Sequence, residues 1–353
     1  MPASFAFIPS RVVTASCWRA GLATARAAAA RATRATRAAL AGVALAAAAL
    51  GPAAGPAAAD DWPSREITLI NNFPPGSATE LTARALARSI EKTLNATIVI
   101  KAVPGGAGQL GPAELARSKP DGYTMGLVGS STYLTAPHMM DVPFRAWEAF
   151  DLIAQAAELR YGIGVRKDSP VRSVQDIIEL SKQKRLTYSS TSPNNVLPLF
   201  QMAKLNGANL RWIVFAGGAE SVLQAVGGHV DMTLQSATEM KPQIEAGNLR
   251  LIASTSAHRW PEYPDVPTLR ELGFNYISIG PMGYAFPKGV DPKIRDRMEE
   301  AFRVALQDPE VLDTLRKLGV QPEFRTGADF YKYMKDMEPL FIQILTESGM
   351  KTR

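Results

Sequence analysis

Between Trp62 and Ser254 the chain alternates short apolar strands with amphipathic helices, and this alternation limits the fold more than any other feature of the sequence. Strands are predicted at Ile67–Ile70, Thr97–Val103, Tyr123–Val128, Tyr161–Val165, Leu186–Ser189, Leu210–Phe215, Met232–Leu234 and Leu249–Ser254. Helices are predicted over Leu81–Leu94, Ala113–Ser118, Val174–Gln183 with Ser173 as cap, Leu197–Leu205 and Lys241–Ala246. The last third reads as mostly helical, at Pro292–Leu306, Pro309–Leu318 and Gly327–Glu347. Strands that take turns with helices imply an α/β fold of mostly parallel sheets flanked by helices. Ligands of such sheets sit beyond the carboxyl ends of the strands. The loops after Ile70, Val128, Ser189, Phe215 and Leu234 are therefore the candidates for a site.

Upstream of the alternation, residues 1–37 carry six arginines and no acid, Ala38–Leu50 is an apolar run, and Ala57-Ala58-Ala59 offers small residues for cleavage. That order is an exported signal peptide over residues 1–59, too short in its apolar part to span a membrane. Taking its six arginines from the 39 Lys+Arg leaves 33, equal to the 33 Asp+Glu. The mature chain is then formally neutral, and its charge argues for neither nucleic acid nor membrane as a partner. The single cysteine, Cys17, leaves with the leader, so the remaining 294 of 353 residues rest on their core without a disulfide. A chain of that size buries about three quarters of its surface and can form two lobes.

The candidate loops share one chemistry. The first, from Asn72 to Glu80, has two prolines that stiffen it, and Gly76 lets its backbone approach a ligand closely. Ser77 or Thr79 can cap the helix that follows, whose N-terminus suits a small anion. Ser130, Ser131 and Thr132 follow the third strand, and Ser190, Thr191, Ser192, Asn194 and Asn195 follow the fifth. Phe215, Ala216 and Gly217 form a further turn, and Gln235 with Ser236 ends the strand near Leu234. Neutral donors from several loops can hold a carboxylate without burying a lysine or arginine.

At Pro63–Ile70 followed by Phe73-Pro74-Pro75-Gly76 the sequence resembles the tripartite tricarboxylate transporter receptors, the Bug family of periplasmic solute-binding proteins. The resemblance continues through Pro104–Gly108, Lys119–Thr124, Gly217–Ala219, Gly227–Asp231, Glu245–Arg250, Pro264–Thr268 and Leu318-Gly319. It implies a two-lobed Venus-flytrap fold with two crossovers, near Gly164 and Met282. Lobe 1 would hold residues 60–164 and 282–353, and lobe 2 residues 165–281. It further implies a monomeric periplasmic receptor that pinches a small organic acid and delivers it to a two-component membrane permease. Neither a cofactor nor a metal is implied, nor catalysis.

Several positions depart from the family pattern. Ser77 stands where the family has a second glycine and Glu80 where it has aspartate, and Ser190–Asn195 replaces a glycine-rich loop. Phe215-Ala216 replaces Tyr-Lys, and Gln235 an aspartate, which leaves the implied cleft less charged. The expected ligand set is Phe73, Gly76, Ser77, Ala78, Thr79, Glu80, Ser130–Thr132, Ser190–Ser192, Asn194, Asn195, Phe215–Gly217, Gln235 and Ser236. The acid would meet N–H groups around Gly76–Ala78, and Thr191, Ser192 and Asn194 would meet its other end. Arg160 is expected in a solvated loop, the other reading being a cation that faces the cleft. Gly106-x-Gly108-x-x-Gly111 has dinucleotide spacing, but the next strand ends without the acid that would hold a ribose. Two other functions compete with uptake. One is a ligand sensor for a membrane signalling partner, and the other is a secreted serine hydrolase acting through Ser131 or Ser190.

Overall fold

The computed structural model describes residues 62–274, 277, 278, 280–347 and 349. The signal peptide expected over residues 1–59 lies outside them. Two mixed sheets, each covered by helices, make up the described chain.

The first lobe begins with β1 (Ile67–Asn71), α1 (Ala78–Leu94), β2 (Ile98–Ala102), α2 (Leu110–Leu115) and β3 (Thr124–Val128). A short π-helical turn, Ser131–Thr135, follows β3. β1 pairs in parallel with both β2 and β3. The alternation that marks these strands buries Leu69 and Met125 in one apolar core with Leu86 and Ile90 of α1. β4 (Phe150–Leu159) then runs into β5 (Tyr161–Arg166), which belongs to the second sheet. The chain thus crosses between sheets at Arg160, four positions before the expected Gly164.

The second lobe continues with α3 (Val174–Gln183), β6 (Leu186–Ser190), α4 (Pro193–Asn206), β7 (Leu210–Val214) and α5 (Gly218–Val226). It ends with β8 (Met232–Ser236), α6 (Ala237–Glu245) and β9 (Leu249–Ser254). Its strand order is β7-β6-β8-β5-β9. α3 starts at the predicted cap: Ser173 Oγ accepts from Asp176 N–H at 3.1 Å, and Asp176 accepts from Ser173 N–H at 3.0 Å.

The chain then returns to the first sheet through β10 (Pro281–Pro287), α7 (Pro292–Ala305), α8 (Pro309–Leu318), β11 (Val320–Thr326) and α9 (Gly327–Glu347). The order there is β11-β4-β10-β3-β1-β2. β10 runs antiparallel to β3 and β4, and β11 antiparallel to β4. In the second sheet β5 opposes β8 and β9. The sheets are therefore mixed, which corrects the expectation of mostly parallel sheets. In the first sheet the difference comes from strands that the sequence pattern did not show, β4, β10 and β11; in the second it comes from the direction of β5, a strand whose presence was expected.

Candidate ligand-binding cleft

The carboxyl ends of β1, β3 and β6 all open on one crevice, about 60 Å³ in volume, shared by the two lobes. By that measure one water needs roughly 10–15 Å³, so the space suits a few small groups. The first lobe contributes Asn72, Phe73, Thr79, Gln109 and the turn Gly129–Thr132. Ser192 and Asn194 come from the second lobe, and Leu159, Tyr161 and Gly280–Met282 from the two crossings.

Local chemistry explains why these atoms converge. Asn72 Nδ2 donates to the Leu127 carbonyl at 3.1 Å and ties the loop after β1 to β3. Gln109 Nε2 donates to Ser131 Oγ at 3.1 Å, joining the glycine-rich loop to the π turn. A side-chain carbon on Gly129 would lie 2.5 Å from the Pro281 carbonyl oxygen, so only glycine permits this approach of β3 to the second crossing. In the second lobe Ser192 Oγ donates to Asn195 Oδ1 at 3.1 Å, which fixes the start of α4.

The crevice is uncharged: among the described residues no Asp, Glu, Lys, Arg or His lines it. Burial pushes the Tyr161 phenol up, so it remains a neutral hydroxyl there. Gln109 Oε1 is buried without a hydrogen-bond partner. The wall thus offers hydroxyls and amides, suited to a polar solute held by directional bonds rather than ion pairs.

The family model for the tripartite tricarboxylate transporter family receptor matches residues 82–350. The chain belongs to that family. A Cupriavidus necator relative, the UPF0065 protein in the gbd 5' region, is 33% identical over 82% of this chain and 90% of its own. Protein BugT of Bordetella pertussis is 28% identical over 85% of this chain and 94% of its own. The solved periplasmic binding protein BugD is similar at 25% identity and a TM-score of 0.76, covering 82% of this chain and 99% of that one.

Of the residues expected in the receptor's site, the structure gathers Phe73, Thr79, Ser130, Ser131, Thr132, Ser192 and Asn194 around the crevice. The others have different partners. Ser77 Oγ caps α1 by accepting from Glu80 N–H at 3.3 Å, and the Glu80 carboxylate accepts from Gly76 N–H at 3.2 Å and pairs with Arg84. Gly76, Ser77 and Glu80 therefore serve the helix start. Ala78 N–H, the donor expected for a ligand, instead reaches Glu239 Oε1 of the second lobe at 3.1 Å. Ser190 Oγ donates to the Leu234 carbonyl at 3.0 Å, and Asn195 supports Ser192. Thr191 and Gln235 are buried outside the wall, and Ser236 donates to Glu239. Phe215, Ala216 and Gly217 leave the edge strand β7 and do not reach the crevice.

Arg160 corrects another expectation. Its side chain is only 14% exposed, and its guanidinium donates to Glu262 at 3.0 and 3.1 Å and to the Gly319 carbonyl at 3.0 Å. Sequence reasoning missed Gln109, Tyr161 and Gly280–Met282 as wall residues. Gln109 stood inside the dinucleotide-like glycine run, and the other positions become neighbours only when the crossings form.

Proposed function

We propose that this receptor works in the periplasm, captures a small organic acid in the interlobe crevice and hands it to a two-subunit membrane permease. The observation that carries the reading is the uncharged crevice itself, walled from both lobes by Thr79, Gln109, Ser130–Thr132, Ser192 and Asn194. Its acid group meets the hydroxyls and N–H groups of the Gly129–Thr132 turn, where charge-assisted bonds are about twice as strong as neutral ones. Gln109 Oε1, buried without a partner, accepts from a hydroxyl or amine on the same solute. The lobes, built from residues 62–159 with 281–347 and from 161–254, close around it as two bodies hinged at Arg160 and near Gly280.

Thermal-shift screening of the mature protein against mono- and dicarboxylates, hydroxy acids, amino acids and nicotinate tests this. An acid present at 100 times its dissociation constant adds about 2.7 kcal/mol to the folded state. Its effect should weaken in Ser131→Ala and Ser192→Ala. If no acid stabilises the protein while ester substrates are cleaved, the hydrolase reading replaces this one.

A further inference from the structure

The chain holds the same tetrapeptide twice, Ser77-Ala78-Thr79-Glu80 and Ser236-Ala237-Thr238-Glu239, each time at the start of a helix. A serine followed three residues later by glutamate normally closes on itself as a helix cap. The first copy does so in part, since Ser77 accepts from the Glu80 N–H and the Glu80 carboxylate stays within its own loop and helix. The second copy does not. Ser236 makes no cap, its hydroxyl donates to Glu239 Oε2, and Glu239 Oε1 crosses to the other lobe to accept from Ala78 N–H.

We infer that Glu239 is an interlobe latch: the protein's own carboxylate joins the N-termini of α1 and α6 and holds the lobes closed without a ligand. The first N–H groups of a helix have no partner within it, so a carboxyl oxygen shared by two helix starts satisfies donors of both. Glu239 supplies that acceptor, bonded to Ala78 N–H on one side and to its own N–H on the other. Space is reserved for it, because a side-chain carbon on Gly218 would come within 2.7 Å of the carboxylate. Its neighbours in α6 also bond outward. Ala237 N–H donates to the Arg160 carbonyl at 2.8 Å, and Thr238 Oγ1 donates to the Leu318 carbonyl at 2.6 Å.

Lysines and arginines around the latch are paired with other carboxylates. Lys241 pairs with Glu262, Lys317 with Asp313 and Glu80 with Arg84, while Glu245 lines the same outer groove. Glu239 is thus held by N–H groups and a hydroxyl. The latch does not depend on which solute the crevice takes.

The test uses the mature protein freed of ligand by unfolding and refolding. The only cysteine lies in the expected leader, so Arg88→Cys on α1 and Leu205→Cys on α4, both exposed, can carry spin labels for pulsed distance measurement across the lobes. Three variants are compared in this background. Glu239→Gln keeps an acceptor oxygen and should retain the parent distance. Glu239→Ala removes the acceptor and should give a displaced, broader distribution. Ala78→Pro removes the donor at the first helical position, where proline is tolerated and Ser77 already has the extended backbone that proline requires of its predecessor. It should reproduce the Glu239→Ala distribution. Circular dichroism confirms that each variant is folded. The latch is overturned if both deletions keep the parent distribution, or if only one of the two changes it.

Discussion

Gly129→Ala would place a β-carbon against a backbone oxygen that has nowhere to move. Gly129 follows β3, and Pro281 opens β10, which pairs with β3 through Val128 and Gly283. A β-carbon at 129 would sit 2.5 Å from the Pro281 carbonyl oxygen. Ordinary carbon–oxygen contact needs roughly 0.7 Å more, and both partners are backbone at the ends of paired strands, so neither can swing away as a side chain would. Overpacking of this kind costs about 1–3 kcal/mol. For a chain of this size each 1 kcal/mol lowers Tm by roughly 2–4 °C. Gly217→Ala is the matched control, because its β-carbon would meet only Pro74 Cγ at 3.4 Å and its φ is −131°. That change should stay within about ±0.5 kcal/mol. Urea unfolding of both variants, with the solute found by screening as a second readout, decides the matter. Equal shifts in the two variants, or an unshifted Gly129→Ala, would refute the claim that the crevice depends on this close approach.

Three further outcomes are expected. Gly76→Val should lower stability by more than about 1 kcal/mol, since φ is +80° and valine is strained there, yet leave solute affinity nearly unchanged because Gly76 lies outside the wall; isothermal titration beside urea melts separates the two. Ser190→Ala deletes a buried hydroxyl bonded to the Leu234 carbonyl and should cost about 1–3 kcal/mol, read as a lower urea midpoint with an unaltered slope. Burial pushes the Glu239 carboxyl above the usual range, against the lowering effect of the Ala78 and Glu239 N–H bonds. The closed, folded protein therefore takes up a proton, and this group's stabilising contribution is complete below the ordinary carboxylate pKa and lost as pH rises through the elevated one. Melting temperatures of the parent should accordingly gain on those of Glu239→Gln as the pH falls, and a constant difference would contradict this.

How much could be read from the sequence depended on whether a signal was local. β1, β3, β6 and β9 stood out because each is an apolar run bounded by turn residues, and Ser173 marked its helix through chemistry three residues long. β4 was hidden because Phe150–Leu159 is rich in alanine, a poor strand former, and buried on both faces, so it shows no alternation. β11 was hidden by Pro322, which a strand accepts only at an edge or bulge; β11 is the edge of its sheet, and its pairing shifts register after Pro322. The crevice was legible where loops directly follow strands, at Phe73, Ser130–Thr132 and Ser192. Tyr161 and Gly280–Met282 join the wall only through the crossings, which no local pattern announces. The two Ser-Ala-Thr-Glu copies mark the limit: one sequence takes two geometries because its surroundings differ.

The position of β10 bears on how such a chain is assembled. This strand lies between β3 and β4, so the first sheet is two separate pieces until residues 281–287 have been threaded between them. A chain emerging from its amino end can finish the second lobe, whose strands run without interruption from β5 to β9, well before the first is whole. Loss of everything beyond Ser254 would leave β3 and β4 with bare edges, open to pairing with other chains. The carboxyl-terminal segment thus acts as the keystone of the lobe that the amino-terminal segment begins.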